Sequence, residues 1–274
     1  MRKTFGWLPI VLAICLLAVA CKSNFEKTRT SGDAALILKS AFAYYEKGQY
    51  QKAQSLFELV LSSIVGTPDA EKATYQYAYT HYHLKQFLTA AYYFKNFSNT
   101  FINSPFREEA AFMSAYSNYQ LSPSYRLEQS NTEKAIEEFQ LFVNLFPQSK
   151  RVEECNQLID QMRRKLEEKA FAEGELYYNL RQYQSSVISF DNLLRDYPES
   201  PDAERVRYLV ARSEYLLSEN SVLEKKTERY NETITRCNDF LEKFPQSKYT
   251  KEIKDIRRDA ERELKAVQKR LKQT

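Results

Sequence analysis

The sequence has few of the residues that interrupt helices: 5 glycines and 8 prolines among 274 residues. A β-sheet protein with many tight turns needs more of both, so their scarcity favours an all-helical chain. Histidine occurs only twice, and no phosphate-binding loop, dinucleotide fingerprint or nucleophile-elbow motif is present. The net charge of +4 is too near neutral for a general nucleic-acid binder. These scarcities argue against an enzyme and against a nucleic-acid-binding protein.

The few reactive side chains do not form a metal-binding pattern. His81 and His83 are two residues apart, so on a helix they point in different directions and cannot share one metal ion. Paired carboxylates such as Glu167 and Glu168 lie among lysines and arginines, as is typical of a solvated helix face. The sequence therefore predicts no metal, no bound cofactor and no catalytic activity.

The N-terminal segment has the regions of a signal peptide in order. A positive start at Met1-Arg2-Lys3 precedes Phe5–Ala20, which is mostly apolar and shorter than the about 20 residues of a membrane span. Two cleavage sites are possible. Ala18-Val19-Ala20 suits an ordinary signal peptidase, which would release a soluble protein. The same residues followed by Cys21 resemble a bacterial lipobox, in which the cysteine is acylated and the chain is cut before it.

We favour the lipoprotein alternative, because a lone cysteine followed by a polar segment has little purpose in a secreted soluble protein. Residues 1–20 are then the signal peptide, and residues 21–33 are the acylated cysteine and a flexible tether. Diacylglycerol and a fatty acyl chain such as palmitate on Cys21 would anchor the chain, since each buried methylene contributes about 0.8 kcal/mol. Lys22 is not an inner-membrane retention residue, so we expect sorting to the outer membrane.

A helical motif recurs along the rest of the chain. The segments "LFPQSK" (145–150), "DYPESP" (196–201) and "KFPQSK" (243–248) are variants of one another, and "TFINSP" (100–105) is a weaker copy. Upstream of each, large apolar residues at i, i+3 and i+7 share one helix face, and a small residue precedes them by four positions. Each such helix follows another that is rich in alanine and tyrosine. A fifth copy lies upstream, where Ala53 precedes Phe57 by four positions. The chain thus contains five helix hairpins, each of which must stack on its neighbours to bury its apolar face.

A small residue at the helix crossing, aromatics one turn away and a terminating proline resemble the tetratricopeptide repeat (TPR). Gly174, Tyr177, Ser186, Phe190 and Pro198 fit that pattern best. The predicted fold is an all-α, TPR-like α-solenoid of five helix-hairpin repeats with a C-terminal capping helix. The solenoid is predicted to span 34–274, with repeats at about 34–67, 70–104, 107–149, 152–200 and 202–247 and the cap at 248–272.

Three segments account for repeats longer than the usual 34 residues. Residues 121–131 and 218–226 are predicted loops. Val152–Leu180 contains no proline, so a helix of about 29 residues, about 43 Å long, is expected there. Cys155 and Cys237 both fall within helical patterns and are predicted to be buried thiols.

TPR arrays commonly bind an extended peptide or a helix along the first helices of their repeats. Tyrosine suits such a surface because its ring packs while its hydroxyl keeps a hydrogen bond, although the same spacing also occurs in cores. Arginines near the last two repeats could face a partner's carboxylates or form an ordinary charged rim. The substrate-groove candidates are Tyr44, Tyr45, Tyr75, Tyr79 and Tyr82, with His81 beside them; the docking candidates are Arg181, Arg205, Arg207 and Arg212.

From about Ala34 to Thr274 the chain resembles the BamD family, lipoproteins of the outer-membrane β-barrel assembly machine. The most specific part is "AIEEFQLFVNLFPQSKRVEECNQLIDQMRRKLEEKAFAEGELYYNLRQYQSSVISFDNLLRDYPES", residues 135–200. The resemblance implies a non-enzymatic periplasmic scaffold on the outer membrane. It also implies that the last two repeats dock on a POTRA domain of BamA, near other assembly lipoproteins, and that the first two receive unfolded outer-membrane proteins. The alternative is another envelope TPR lipoprotein that scaffolds cell-wall or secretion machinery.

Overall fold

The structure, a computed structural model, describes residues 24–273, which fold into twelve α-helices and one short 3₁₀ helix without a strand. This confirms the predicted all-α, TPR-like fold. The signal peptide and Cys21 lie outside the described residues. The helices are α1 (Asn24–Arg29), α2 (Ala34–Glu46), α3 (Tyr50–Val60), the 3₁₀ helix (Leu61–Ile64), α4 (Pro68–His83), α5 (Phe87–Thr100), α6 (Arg107–Gln120), α7 (Ser130–Leu145), α8 (Val152–Asn179), α9 (Tyr183–Asp196), α10 (Ala203–Glu219), α11 (Leu223–Lys243) and α12 (Thr250–Leu271).

The chain divides into two compact units. Unit 1 comprises the described residues up to Pro123 together with Gln129–Ile159, and unit 2 comprises Ser124–Glu128 and the described residues from Asp160 onward. Helix α8 contributes its first residues to unit 1 and the rest to unit 2. Its 28 residues confirm the long helix expected from the lack of proline.

Three hairpins turn through the same backbone conformation. Gly48, Lys85 and Arg181 follow the first helices of their hairpins with φ of 68°, 59° and 60°. Their N–H groups donate to the carbonyl three residues back, at 2.9, 2.9 and 3.0 Å. Glycine adopts this left-handed conformation readily, whereas a residue with a Cβ pays about 1–2 kcal/mol. The turn therefore fixes Lys85 and Arg181 in a conformation that neither residue prefers.

The serine of the recurring "FPQS" motif ties the loop that follows a hairpin back to the start of that hairpin. In unit 1, Ser149 Oγ accepts a hydrogen bond from the N–H of Arg151 at 3.1 Å and donates one to Glu108 Oε1 at 2.6 Å. The same serine-to-glutamate bond joins Ser104 to Glu71 at 2.6 Å and Ser247 to Glu204 at 2.5 Å. Each bond connects the loop after one hairpin to the first helix of that hairpin, which explains why this serine recurs.

The cores are built from small residues facing aromatic rings, as the repeat pattern predicts. In unit 2, a Cβ added to Gly174 would come 2.5 Å from Phe190 Cε1, so only glycine lets helix α8 approach this ring. Ser186 is fully buried and donates to the Gly174 carbonyl at 3.1 Å. Cys155 and Cys237 are buried free thiols, each within its own unit, as predicted.

Two expectations are corrected. Residues 218–226, predicted as a loop, are mostly helical: α10 continues to Glu219 and α11 begins at Leu223, because the polar residues there continue the helices instead of ending them. Within the predicted flexible tether, Asn24–Arg29 forms helix α1, whose Phe25 packs edge-to-face on Tyr44 with ring centroids 5.7 Å apart. In residues 24–273 no helix is long and apolar enough to cross a membrane.

Candidate functional site

The five tyrosines proposed from the sequence lie on α2 and α4, the first helices of the first two hairpins. All five are half-buried, so each ring packs against the protein while part of it faces solvent. Four of them join a continuous set of ring contacts in unit 1, which we call the aromatic face. Its members are Tyr45, Tyr75, Tyr79, Tyr82, His83 and Tyr116.

Tyr79 lies at the centre of the aromatic face. Its ring centroid is 5.0 Å from that of Tyr75 and 4.8 Å from that of the buried Phe94, both edge-to-face. Its hydroxyl donates to Glu109 Oε1 at 3.0 Å. Burial, and then the neighbouring Tyr75 and Glu109, raise the pKa of Tyr79 far above its ordinary value. The phenol is therefore a permanent hydrogen-bond donor at any physiological pH.

Glu109 is held by a second contact at the edge of the aromatic face. Arg151 Nη2 lies 2.7 Å from Glu109 Oε2, and the guanidinium lies 4.0 Å from the centroid of Phe112. The Glu109 carboxylate is therefore held at both oxygens, by Tyr79 and by Arg151. This fixes the position of the acceptor to which the Tyr79 hydroxyl donates. Tyr75 stacks on Phe106 at 4.7 Å, which completes this edge with a partly exposed apolar ring.

The other end of the aromatic face reaches the first hairpin through His83. The His83 imidazole stacks on Tyr50 at 4.1 Å and lies 6.3 Å from Tyr45. Partial desolvation lowers the pKa of His83, which favours the neutral ring, and burial raises the pKa of Tyr45 to about 12. Tyr82 extends the surface towards the third hairpin, 6.4 Å from Tyr116. The result is a ring-lined surface with hydroxyl groups along it and the Glu109–Arg151 ion pair at one edge.

Two sequence candidates lie elsewhere. His81, proposed as part of the surface, is buried instead, and its Nδ1 is 2.6 Å from Gln86 Oε1. The helix places the neighbouring His83 on the aromatic face because residues two apart point in different directions. Tyr44 faces α1 through Phe25, and the ammonium group of Lys52 lies 5.2 Å from the Tyr44 ring.

Arg205 and Arg212 make ion pairs within unit 2. Arg205 Nη2 is 2.6 Å from Glu175 Oε1, and its guanidinium lies 4.6 Å from the Phe171 ring centroid. Arg212 donates to the Tyr208 hydroxyl at 2.7 Å, and its nearest carboxylate oxygen, on Glu252, is 3.5 Å away. The structure thus brings these two arginines together with carboxylates and aromatic rings on the surface of unit 2.

Arg181 and Arg207 differ from that pair. Arg181 occupies the left-handed turn position and is exposed, and Arg207 is half-buried on α10. Among the ion pairs of residues 24–273, none includes either of them. In the same part of the chain, no group of three or more His, Cys, Asp or Glu residues could hold a metal ion.

Sequence reasoning missed several members of this site. Tyr50 begins a second helix, outside the first-helix pattern that predicts a binding surface, and Glu109 and Arg151 have the appearance of ordinary surface charges. A signal existed for Tyr116, because it occupies the place in the third hairpin that tyrosines occupy in the first two. The Tyr79–Glu109–Arg151 contacts join residues up to 72 positions apart, from Tyr79 to Arg151, so only the fold brings them together.

Comparison with protein families shows what kind of chain carries this site. A family model, YfiO, described as an outer membrane lipoprotein, matches residues 31–188 and 175–273. The chain belongs to the YfiO family. This is the BamD family whose motifs the sequence resembles, and the match covers both units, including the aromatic face and the unit 2 arginines.

Solved structures and curated proteins add less. A thermophilic TPR protein of Thermus thermophilus is 18% identical, with 83% of this chain and 98% of that chain covered and a TM-score of 0.31. A Podosopora anserina protein with nearly identical TPR-like repeats is 15% identical, with 77% and 96% covered and a TM-score of 0.31. No curated protein matches the YfiO family chain described here.

Proposed function

We propose that this YfiO family chain is a non-enzymatic scaffold of the outer-membrane β-barrel assembly complex. Lipid on Cys21 anchors it in the outer membrane, and the helical units face the periplasm. Support comes from the family, which is described as an outer membrane lipoprotein, and from helix hairpins whose first helices carry a binding surface in unit 1. The chain binds BamA through a POTRA domain, together with other assembly lipoproteins, and it receives unfolded barrel proteins before their insertion.

The aromatic face is the observation that carries the substrate proposal. Unfolded barrel proteins of this pathway end in an extended segment with a terminal aromatic residue. Aromatic rings pack on one another in edge-to-face or offset arrangements, and tyrosine hydroxyls can bond the free backbone of an extended peptide. Tyr75, Tyr79 and Tyr82 present both features on one helix, with Tyr45 and Tyr116 on the neighbouring first helices.

The docking proposal for unit 2 concerns Arg205 and Arg212. Each now pairs with a carboxylate of this chain, yet the Arg205 side chain is 48% and the Arg212 side chain 42% exposed. A guanidinium engaged at one side keeps further N–H donors for a second carboxylate. A POTRA domain presenting acidic side chains could therefore bind here without breaking the internal pairs. Arg181 and Arg207 remain docking candidates at other positions: Arg181 lies in the turn between α8 and α9, and Arg207 lines a crevice with Asp191 and Asp239.

Co-purification from the native envelope tests this function. The tagged, acylated protein is solubilised in detergent, and the proteins that accompany it are identified. We expect a barrel protein with POTRA domains, and we expect Arg205→Glu to reduce its recovery at least tenfold. Arg195→Glu is the matched control, because Arg195 is an exposed arginine of unit 2 outside the proposed surface. Recovery of cell-wall enzymes or secretion components without a POTRA protein would refute the proposal.

A further inference from the structure

Unit 2 contains a cleft that the docking surface does not use. It has a volume of about 430 Å³ and lies between α9, α10 and α11. Val187, Ile188 and Leu217 form its apolar walls, and the carboxyl group of Glu214 lines it as well. Ile188 is 54% exposed, so the mouth of the cleft is open to an approaching molecule.

Glu214 is largely buried, and its carboxyl group makes no hydrogen bond or ion pair within residues 24–273. The residue is only 7% exposed. Within residues 24–273 no hydrogen-bond donor and no cation contacts its side chain, and only its backbone carbonyl accepts a bond, from Ser218 Oγ. A buried carboxylate is ordinarily paired or hydrogen-bonded, because burying it alone costs several kcal/mol. The cleft therefore offers a carboxyl group that has no protein partner and is free to pair with a positive group.

The cations nearby are already engaged or lie at the rim. Arg236 pairs with Asp191 through two bonds at 3.0 and 2.8 Å and with Glu232 at 2.7 Å. Arg229 donates to Ser221 Oγ. Burial raises the pKa of Glu214 to about 7, and the negative charges of Glu232 and Asp191 raise it further. The positive charges of Arg236 and Arg229 act in the opposite direction and lower it. The remaining charged groups that line the cleft, both on α11, are Lys225 and Glu228.

The shape and chemistry of the cleft match one kind of group. Lysine and arginine side chains have an aliphatic stem and a cationic head, and they bury the stem along apolar surface. The walls of Val187, Ile188 and Leu217 suit such a stem, and Glu214 suits the head. We propose that this cleft binds a lysine or arginine side chain presented by a partner protein, with the cationic head paired to Glu214. The inference goes beyond the proposed function and does not depend on it.

Titration with a small cation tests the cleft directly. The probe is n-butylguanidinium, added to the acylated full chain in detergent with ¹³C-labelled glutamate carboxyl groups. We expect a saturable shift of the Glu214 resonance, an apparent pKa lowered by at least one unit at saturation, and at least tenfold weaker binding to Glu214→Gln. Glu224→Gln, an exposed glutamate on α11 with the same charge change, should bind like the parent chain. No saturable shift, or equal binding to Glu214→Gln, would overturn the proposal.

A second variant protects the test against misfolding. Ile188→Lys places a cation at the exposed mouth of the cleft, where a change should not disturb the core, and it should compete with the probe and weaken binding at least tenfold. Unchanged affinity in that variant contradicts the site.

A comparison of two further probes, spermidine and a blocked Ala-Leu-Arg-Leu-Ala peptide, distinguishes a free polyamine from a protein side chain as the source of the cation. Tighter binding of the peptide supports a partner protein, and tighter binding of spermidine overturns that assignment.

Discussion

The hydroxyl of Tyr79 donates a hydrogen bond to Glu109, 3.0 Å away on the first helix of the next hairpin. Glu109 in turn pairs with Arg151, which follows the third hairpin and covers the Phe112 ring. These contacts make the aromatic face part of the framework of unit 1. A residue of the face can therefore be tested for its structural and its binding contribution separately.

Removing the Tyr79 hydroxyl should weaken unit 1 while leaving the ring in place. Tyr79→Phe deletes the bond to Glu109, and we expect a loss of about 1–2 kcal/mol in the free energy of unfolding. Urea denaturation followed by circular dichroism measures it. Tyr82→Phe is the control, since the Tyr82 hydroxyl makes no hydrogen bond within residues 24–273. Equal losses in both variants would show that the Tyr79–Glu109 bond contributes nothing.

Gly174 should not tolerate even an alanine. Gly174→Ala gains about 1 kcal/mol of helix propensity, but its Cβ would come 2.5 Å from Phe190 Cε1. We expect a net loss of about 1–3 kcal/mol, as for other overpacked cores, measured by urea denaturation. Adding Phe190→Leu should recover part of that loss, because the smaller side chain makes room. An additive double variant would contradict direct contact between the two positions.

The serine of the "FPQS" motif should matter through its hydroxyl. Ser149→Ala removes both the bond to Glu108 and the bond from the Arg151 N–H, and we expect a loss of about 1 kcal/mol in unfolding free energy. Ser149→Thr keeps the hydroxyl and should retain most of the stability. If threonine were as harmful as alanine, the side-chain bonds would not explain why the serine recurs.

The unpaired Glu214 should make folding stability depend on pH. Its pKa is raised from 4.5 to about 7 in the folded state, so the folded chain holds a proton that the unfolded chain has released. Below pH 4.5 this group contributes its full share to the free energy of unfolding. Between pH 4.5 and about 7 that contribution falls by up to about 3 kcal/mol. Glu214→Gln should lose this component. The free energies of unfolding of the parent chain and of Glu214→Gln are measured at pH 5 and pH 8. If both lose the same amount of stability between these pH values, the assignment to Glu214 is contradicted.

Both thiols should resist alkylation in the folded protein. Burial raises the pKa of Cys155 and of Cys237 to about 12, so almost no thiolate exists at pH 8. Iodoacetamide should modify neither residue over hours under native conditions and both within minutes in urea, as read by mass spectrometry. Rapid native labelling of either cysteine would show that its helix opens locally.

The sequence predicted the helices and their hairpin pairing because small and aromatic residues repeat at fixed helical spacing. It failed at 218–226, where the polar residues gave no sign that α10 and α11 continue almost to each other. It chose His81 over His83 because periodicity cannot tell which of two nearby positions meets a buried partner such as Gln86. The Glu109–Arg151 pair and the isolation of Glu214 depend on residues distant in sequence, so local patterns could not reveal them.

The central claim is that the aromatic face receives unfolded barrel proteins. A photo-cross-linking amino acid at Tyr82 tests it in living cells during synthesis of outer-membrane proteins. Tyr92 is the control position, because it lies on a second helix in the same unit and is 62% exposed. We predict adducts with newly made barrel proteins from position 82 and few or none from position 92. Adducts from neither position, or equal yields from both, would contradict the account.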